Sequence, residues 1–395
     1  MQTNKILITD GRTLSCLAFV RKLGREGMDV HVGESFKRNI TAYSKFASES
    51  HVYPSAENNT ADFKTYILEL IQQEQYDFVL STRDTTTIAL AEIQDQLPTD
   101  TNMLVDTPEK IQRLNDKHRC AKLAEQVGVP IPTTYYPSET PIEEIGSKAE
   151  FPVLVKPTDA AGSRGIQRVE TPQELRTTYH SVIREHGNAI VQEFVDHSGG
   201  HFSIGTVFDR KSKPQAVHVY KELLQYPDSG GPAIQAVSSD PEPWVEEMLT
   251  ILEAVNWVGP AHMDVLFDPV DDTYKLLEIN PRIWMSVALT IESGVNIPRI
   301  IMDIMDNVEL SNEKSYSTNL YYRWVLPNEI LWAINGRSTP YRIKRLFQTE
   351  NIPTCYGILS KKDPFVSIGA MAQSLKFISS KDTRRTIFDR GWENE

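Results

Sequence analysis

Two rhythms of apolar residues divide this sequence, and they constrain its fold more than any other feature. From residue 5 to about residue 105, short apolar runs alternate with stretches of helical spacing. "KILIT" (5–9) leads into "TLSCLAFVRKLGREG", where Leu14, Leu17 and Ala18 recur at helical intervals and Gly27 suits the helix end. "DVHVG" (29–33) reads as the next strand. Helices are expected at 61–74 and 85–96, and strands at 77–81 and 102–105. Strand, helix, strand at this spacing predicts βαβ units on a parallel sheet. The first turn, "TDGRT", lacks the GxGxxG of a nicotinamide fold, which favours a scaffold or substrate-side domain.

After Pro132 the rhythm changes. A helix opens at Thr107-Pro108, with a capping side chain and a proline at the first helical position, and stops at Gly128. Beyond it "FPVLVKP", "GIQRVE", "AIVQEFV", "HFSIGTVFD", "PQAVHVYKEL", "AHMDVLFD" and "TYKLLEIN" are strands in quick succession. Short turns between them predict antiparallel hairpins. The expected fold class is therefore α/β plus α+β: a parallel N-terminal domain, then antiparallel sheets.

Hydrophobic residues make up 40% of the 395 and charged residues 24%, the balance of a globular enzyme. A net charge of −12 disfavours broad binding to nucleic acid or anionic membranes. Residues 306–395 are slightly basic, whereas the rest is acidic, which sets the tail apart. Cys16, Cys120 and Cys355 have no paired spacing. Neither a zinc site nor a disulfide framework is expected, and a reducing cytoplasm fits best. "MQTNKILITD" lacks the pattern of a signal peptide, and no run of ~18 apolar residues is present to span a bilayer.

The chemistry concentrates in a hairpin. Let "HMDVLFD" (262–268) pair with "TYKLLEIN" (273–280) in an unbroken register that sets Phe267 against Lys275 and Val265 against Leu277. Asp264 then faces Glu278, and His262 faces Asn280. Alternation puts Asp264, Glu278 and Asn280 on one face, with Met263, Val265, Phe267, Leu277 and Ile279 on the other. Opposed carboxylates repel, and a hard divalent cation removes the repulsion. An Asp, Glu, Asn oxygen set suits Mg²⁺ that shares its site with phosphates. An exposed polar ribbon edge is the alternative. Asn280-Pro281-Arg282 weighs against that, because a guanidinium beside the set resembles a clamp for an anion.

A second constellation lies upstream. In "VLVKPTDAAGSRGIQRV" (153–169), Lys156 ends an apolar strand, and "DAAGSRG" is small enough for backbone N–H groups to approach phosphate oxygens. A plain hairpin turn is the competing reading, and the Walker pattern is absent. "IVQEFV" (190–195) places Gln192 and Glu193 inside an apolar strand, which suits either a purine amino group or a salt bridge.

Taken in order, these pieces resemble the ATP-grasp superfamily: a lysine in a helix before the sheet, a "VKP" strand with a Gly/Ser loop, a "QEF" hinge, an acidic strand, then "EINPR". The resemblance runs from about residue 5 to 305 and includes a carbamoyl-phosphate-synthase-type domain ahead of the nucleotide fold. It implies a pre-ATP domain at 1–110, a small subdomain at 111–188, a large subdomain at 189–305 and an extension at 306–395. It also implies ATP with Mg²⁺, or Mn²⁺ in its place. Lys117 and Lys156 correspond to lysines on nucleotide phosphates, and Ala161, Gly162, Ser163, Arg164 and Gly165 to the lid. Gln192, Glu193, Phe194 and Val195 correspond to the adenine hinge. Asp264, Glu278 and Asn280 match metal ligands. Arg282 matches the arginine facing the acyl phosphate, with Lys221 as a further phosphate or substrate contact. His201 stands where the family often has an acidic ribose contact.

The implied activity is that of an ADP-forming carboxylate–amine ligase acting on small-molecule carboxylate and amine substrates, in a family where homodimers are common. The alternatives are a carboxy- or carbamoyl-phosphate-forming enzyme and a silent nucleotide-binding scaffold. Trp284 and Ser286 are read as helix packing more readily than as substrate contacts. The tail segment "VSIGAMAQSLKFIS" (366–379) is read as a helix folded back on the core rather than as a peripheral anchor.

Overall fold

A computed structural model describes residues 4–159, 162–228, 230–310, 315–335, 339–347 and 352–379. Its first sheet is parallel and has the order β3-β2-β1-β4, built from β1 (Lys5–Ile8), β2 (Asp29–Glu34), β3 (Glu49–Val52) and β4 (Phe78–Leu80). The helices Leu14–Arg25, Thr60–Glu74 and Asp84–Ala91 connect and cover it. The strand expected at 102–105 is absent: only an isolated parallel bridge joins Asn102 to Phe78. Leu104 instead joins the core of the first sheet, with Ile6, Phe78 and Leu80, and Val105 packs against the core that includes Met263 and Val265.

The single helix expected from Thr107 to Gly128 is two helices, Pro108–Asn115 and Lys117–Val127. Asp116 breaks them apart in an extended conformation and caps the second by accepting from the Arg119 N–H. The break places Lys117 at the first turn of a helix rather than on the flank of a long one.

A small four-stranded antiparallel sheet follows, ordered β5-β8-β6-β7, from β5 (Thr134–Tyr135), β6 (Val153–Pro157), β7 (Gln167–Val169) and β8 (Ala189–Glu193). The helices Ile142–Lys148 and Pro172–His186 cover one face through Ile145, Leu175 and Val182.

The third sheet has seven strands in the order β13-β12-β9-β10-β11-β14-β15. These are β9 (His201–Phe208), β10 (Pro214–Gln225), β11 (Ala233–Ser239), β12 (Gly259–Asp268), β13 (Thr273–Asn280), β14 (Tyr321–Arg323) and β15 (Thr354–Tyr356). Its last two strands come from beyond residue 305, so the tail completes this sheet. Helix Trp244–Ala254 buries Val245, Met248, Ile251 and Leu252 against Ile204, Met263, Val265 and Ile279. Full burial of each such side chain contributes about 1.5–3 kcal/mol. On another side Trp284, Val287, Ile297 and Ile301 pack with the core of the N-terminal domain. Gly205 permits this approach, since a Cβ there would stand 2.2 Å from the Trp284 ring.

The helix Val366–Ser379 folds back as expected, through Val366 and Ala370 onto Leu14, Leu17 and Ile40. Buried Asp363 anchors its start, accepting from Arg21 Nε at 2.9 Å, Ser44 Oγ at 2.7 Å and the Lys45 N–H at 3.0 Å.

Candidate functional site

The hairpin of β12 and β13 has the expected register at its functional end: Asp264 pairs with Glu278 and His262 with Asn280. Below that the register shifts. Val265 pairs with Leu276, Leu266 with Lys275 and Phe267 with Tyr274. One extra residue on β13 forms a bulge, and the bulge exchanges faces. Leu276 therefore joins Met263, Val265 and Ile279 in the core, whereas Leu277, expected there, lines the cleft.

Asn280 Nδ2 lies 3.3 Å from Asp264 Oδ2 and 3.1 Å from Glu278 Oε1, so the three side chains meet at one point. Lys117 Nζ stands 3.5 Å from the other oxygen of Glu278. Burial works against the Asp264 carboxylate, but His262, His201 and Ser203 hold its pKa well below the usual range. Two anionic carboxylates converging with an amide are a donor set for a hard divalent cation. A half-turn of the Asn280 amide would present Oδ1 where Nδ2 now stands.

Arg282 sits beside this set. Its Nε donates to both Asp84 oxygens, at 3.0 and 3.1 Å, Nη1 to the Ile283 carbonyl at 3.2 Å and Nη2 to Asn280 Oδ1 at 3.2 Å. A guanidinium has five N–H groups, so one remains on each terminal nitrogen.

Across the cleft, Lys156 is buried on β6 and donates to Gln192 Oε1 at 2.5 Å, while Gln192 Nε2 donates to Thr134 Oγ1 at 2.8 Å. Burial, and to a smaller extent Lys117, lowers the Lys156 pKa to about 8, with Glu278 opposing. Gly162, Ser163 and Gly165 take positive φ values of 65°, 57° and 70° in the turn after β6. Gly162, Ser163 and Arg164 border the cleft; Ala161 lies outside the described residues. Glu193 and Val195 line the cleft too, whereas Phe194 stacks between His197 and Arg168.

Three residues here carried no clear signal in sequence. Lys275 is buried and binds Glu193 at 2.6 Å, Asp268 at 2.8 Å and Asp271 at 2.5 Å, tying the hinge to the hairpin turn. Glu222 accepts from Ser203 Oγ at 2.8 Å and from Gln225 Nε2 at 2.7 Å, and lies 3.7 Å from His201. Asp84 comes from the first domain. The alternation of β10 would have flagged Glu222, and the same alternation removes Lys221. Tyr220 and Glu222 line the cleft, so Lys221 points the other way, with Nζ 5.4 Å from the Phe202 ring centroid. The structure does not bring Lys221 to the cluster. His201 does reach it, 3.7 Å from Asp264; burial lowers its pKa, but Glu222 and Asp264 outweigh that and raise it to about 9. Trp284 and Ser286 are well buried, Trp284 with 1% exposure and Ser286 through a hydrogen bond of 2.6 Å with Tyr220, yet both also border the cleft.

Lys117, Lys156, Glu193, Asp264, Glu278, Asn280 and Arg282 border one cleft of about 1420 Å³ that runs from Lys156 past the carboxylates to Arg12 and Gln373. Residues 114–286, which hold every group but Asp84 and those far-end residues, match the family model of the ATP-grasp domain. The chain contains an ATP-grasp domain.

The chain is 26% identical over 203 residues to the C-terminal section of the carbamoyl phosphate synthase large chain of Methanopyrus kandleri. That match covers 48% of this chain and 36% of the relative. The aligned part is a smaller share still of the acetyl-CoA carboxylase of Dictyostelium discoideum, 8%. This chain thus matches well under two thirds of those relatives' own length. Among solved structures, the biotin carboxylase domain of Hydrogenobacter thermophilus 2-oxoglutarate carboxylase, in complex with MgADP, ADP and bicarbonate, superposes with a TM-score of 0.63 at 15% identity. It covers 81% of this chain and 74% of its own. The L-amino acid ligase of Bacillus licheniformis gives 0.58 at 16% identity, over 79% and 77%. At these identities the likeness is one of fold.

Proposed function

We propose that this chain is an ATP-dependent, Mg²⁺-requiring ligase that activates a small carboxylate as its acyl phosphate and joins it to an amine, releasing ADP and phosphate. One observation carries the reading: Asp264, Glu278 and Asn280 meet within hydrogen-bond distance, with Arg282 on one side and Lys117 on the other. Asp264, Glu278 and Asn280 would hold the metal, which supplies charge neutralisation on the phosphates.

The chain's own residues do the rest. Lys156 and Lys117 place positive charge on the phosphate path. Gly162, Ser163 and Arg164 supply a turn small enough to close over it. Glu193 and Val195 frame the base end, held in place through Lys275. Arg282 presents its two remaining N–H groups as a fork for the carboxylate, and its charge steadies the oxyanion that forms there.

A second reading, with bicarbonate as the activated carboxylate, is supported by the likeness to a carboxylase domain that holds bicarbonate. The same fork would serve it. ADP release measured against panels of carboxylates and amines tests both. Release that needs a carboxylate and an amine together supports ligation, and release with bicarbonate alone supports the second reading. ATP binding without release under any pairing would reject both.

A further inference from the structure

The face of the first sheet farthest along its edge, on β2 and β3, gathers a second set of metal-ligating side chains. His31 and Glu49 are register partners in the parallel ladder, and His51 lies two residues beyond Glu49 on the same face. His31 Nδ1 is 3.0 Å from His51 Nε2 and 2.8 Å from the Tyr76 hydroxyl, and that hydroxyl is 3.1 Å from His51 Nε2. Glu49 adds a carboxylate whose oxygens lie 3.9 Å from each of the same two nitrogens.

Simple two-centre hydrogen bonds do not account for this triangle. A neutral ring nitrogen either donates or accepts, never both. Of the three edges, two at most can hold a hydrogen of their own, and the third brings two polar atoms together with none. A metal ion satisfies all three lone pairs at once. Two nitrogens about 2.0–2.1 Å from one ion stand roughly 2.9 Å apart at a right angle and wider in a tetrahedron. The observed 3.0 Å lies in that range. The rest of the arrangement follows the same logic. Asp29 Oδ1 is 3.6 Å from His31 Nε2, the far nitrogen of the ring, where a carboxylate orients a liganding imidazole. His31 is 3% exposed, and Glu49, over half exposed, leaves a way in from solvent.

We infer that His31, His51, Glu49 and Tyr76 form a site for a late first-row divalent cation such as Zn²⁺, distinct from the carboxylates of the nucleotide cleft. Two imidazoles select such an ion over Mg²⁺ or Ca²⁺. Because β3 is the edge strand of its sheet, the ion would fasten that edge to β2 and to Tyr76 ahead of β4. The role is structural and independent of the reaction proposed above.

The test is Zn²⁺ titration of the chelator-stripped full chain with Mg²⁺ in large excess. The wild type should take one equivalent and melt at a higher temperature with it. His51→Ala should weaken binding at least about tenfold, whereas Asp264→Asn should bind as the wild type does. Should His51→Ala fail to fold, the imidazole NMR signals of His31 and His51 in the wild type decide: both must shift in step with the first equivalent. Wild-type affinity in a folded His51→Ala, or histidine signals that do not respond, would overturn the assignment.

Discussion

Asp84, on the first helix after β4, grips Arg282 of the ATP-grasp domain through Nε, at 3.0 and 3.1 Å. A residue 198 positions away thus sets the direction in which the guanidinium fork opens. The Asn280 and Ile283 oxygens fix the other two nitrogens. The pair joins the helix after β4 to the segment after β13 at the cleft wall, and both side chains are about one-fifth exposed.

Arg282 and Asp84 should therefore separate in kinetics. Arg282→Ala is expected to abolish turnover while the chain stays folded. Asp84→Asn keeps the size but loses the charge, and is expected to raise the carboxylate KM and lower kcat by about ten- to a hundredfold, through misdirection of the fork. ATP affinity, measured by calorimetry, should move by less than twofold in Asp84→Asn. Equal loss of ATP and carboxylate binding would show that the pair merely holds the domains together.

Removing one carboxylate from the hairpin should change the metal requirement. Glu278→Gln and Asp264→Asn are expected to cut kcat by at least about a hundredfold and to raise the Mg²⁺ concentration at half-maximal rate. Circular dichroism should match the wild type, since neither side chain belongs to the apolar core. A Mg²⁺ titration of ADP release is the measurement. An unchanged Mg²⁺ profile would place the metal elsewhere.

Lys156 should give the alkaline limb of the pH profile. Its folded pKa, lowered to about 8 chiefly by burial, lies beneath its unfolded value near 10.5. The ammonium needed for phosphate binding is lost as pH rises through 8, so kcat/KM for ATP should fall there. The stability sign is opposite. Below about 8 both states are protonated, and the folded one carries the full burial penalty. Between about 8 and 10.5 the unfolded state binds more protons, so this group's contribution to stability rises with pH. Lys156→Arg should lose the limb near 8; a limb that persists there belongs to another group.

One buried charge pair helps to fasten the tail helix. Asp363 is fully buried, with Arg21 Nε at 2.9 Å. Asp363→Ala strands the Arg21 charge and should cost about 3–5 kcal/mol, read by denaturant unfolding. Changing both to apolar residues should recover much of it. If the single variant loses less than about 1 kcal/mol, solvent reaches the pair.

What the sequence determined by itself was periodicity and local chemistry. The alternation of β12 and β13 put Asp264, Glu278 and Asn280 on one face, because strand side chains point alternately whatever surrounds them. Helix ends at Gly128 and strand identity in "KILIT" and "DVHVG" follow from equally local rules. Tertiary structure decided the rest. The bulge that sends Leu277 to the cleft and Leu276 to the core depends on what the hairpin packs against. So does the break at Asp116. The grip of Asp84 on Arg282 and the meeting of His31, His51 and Tyr76 involve residues brought together only when strands align in a sheet and sheets close on one another. No spacing within a strand or helix records such a distance, since it is set by the packing of whole elements and not by their own repeat.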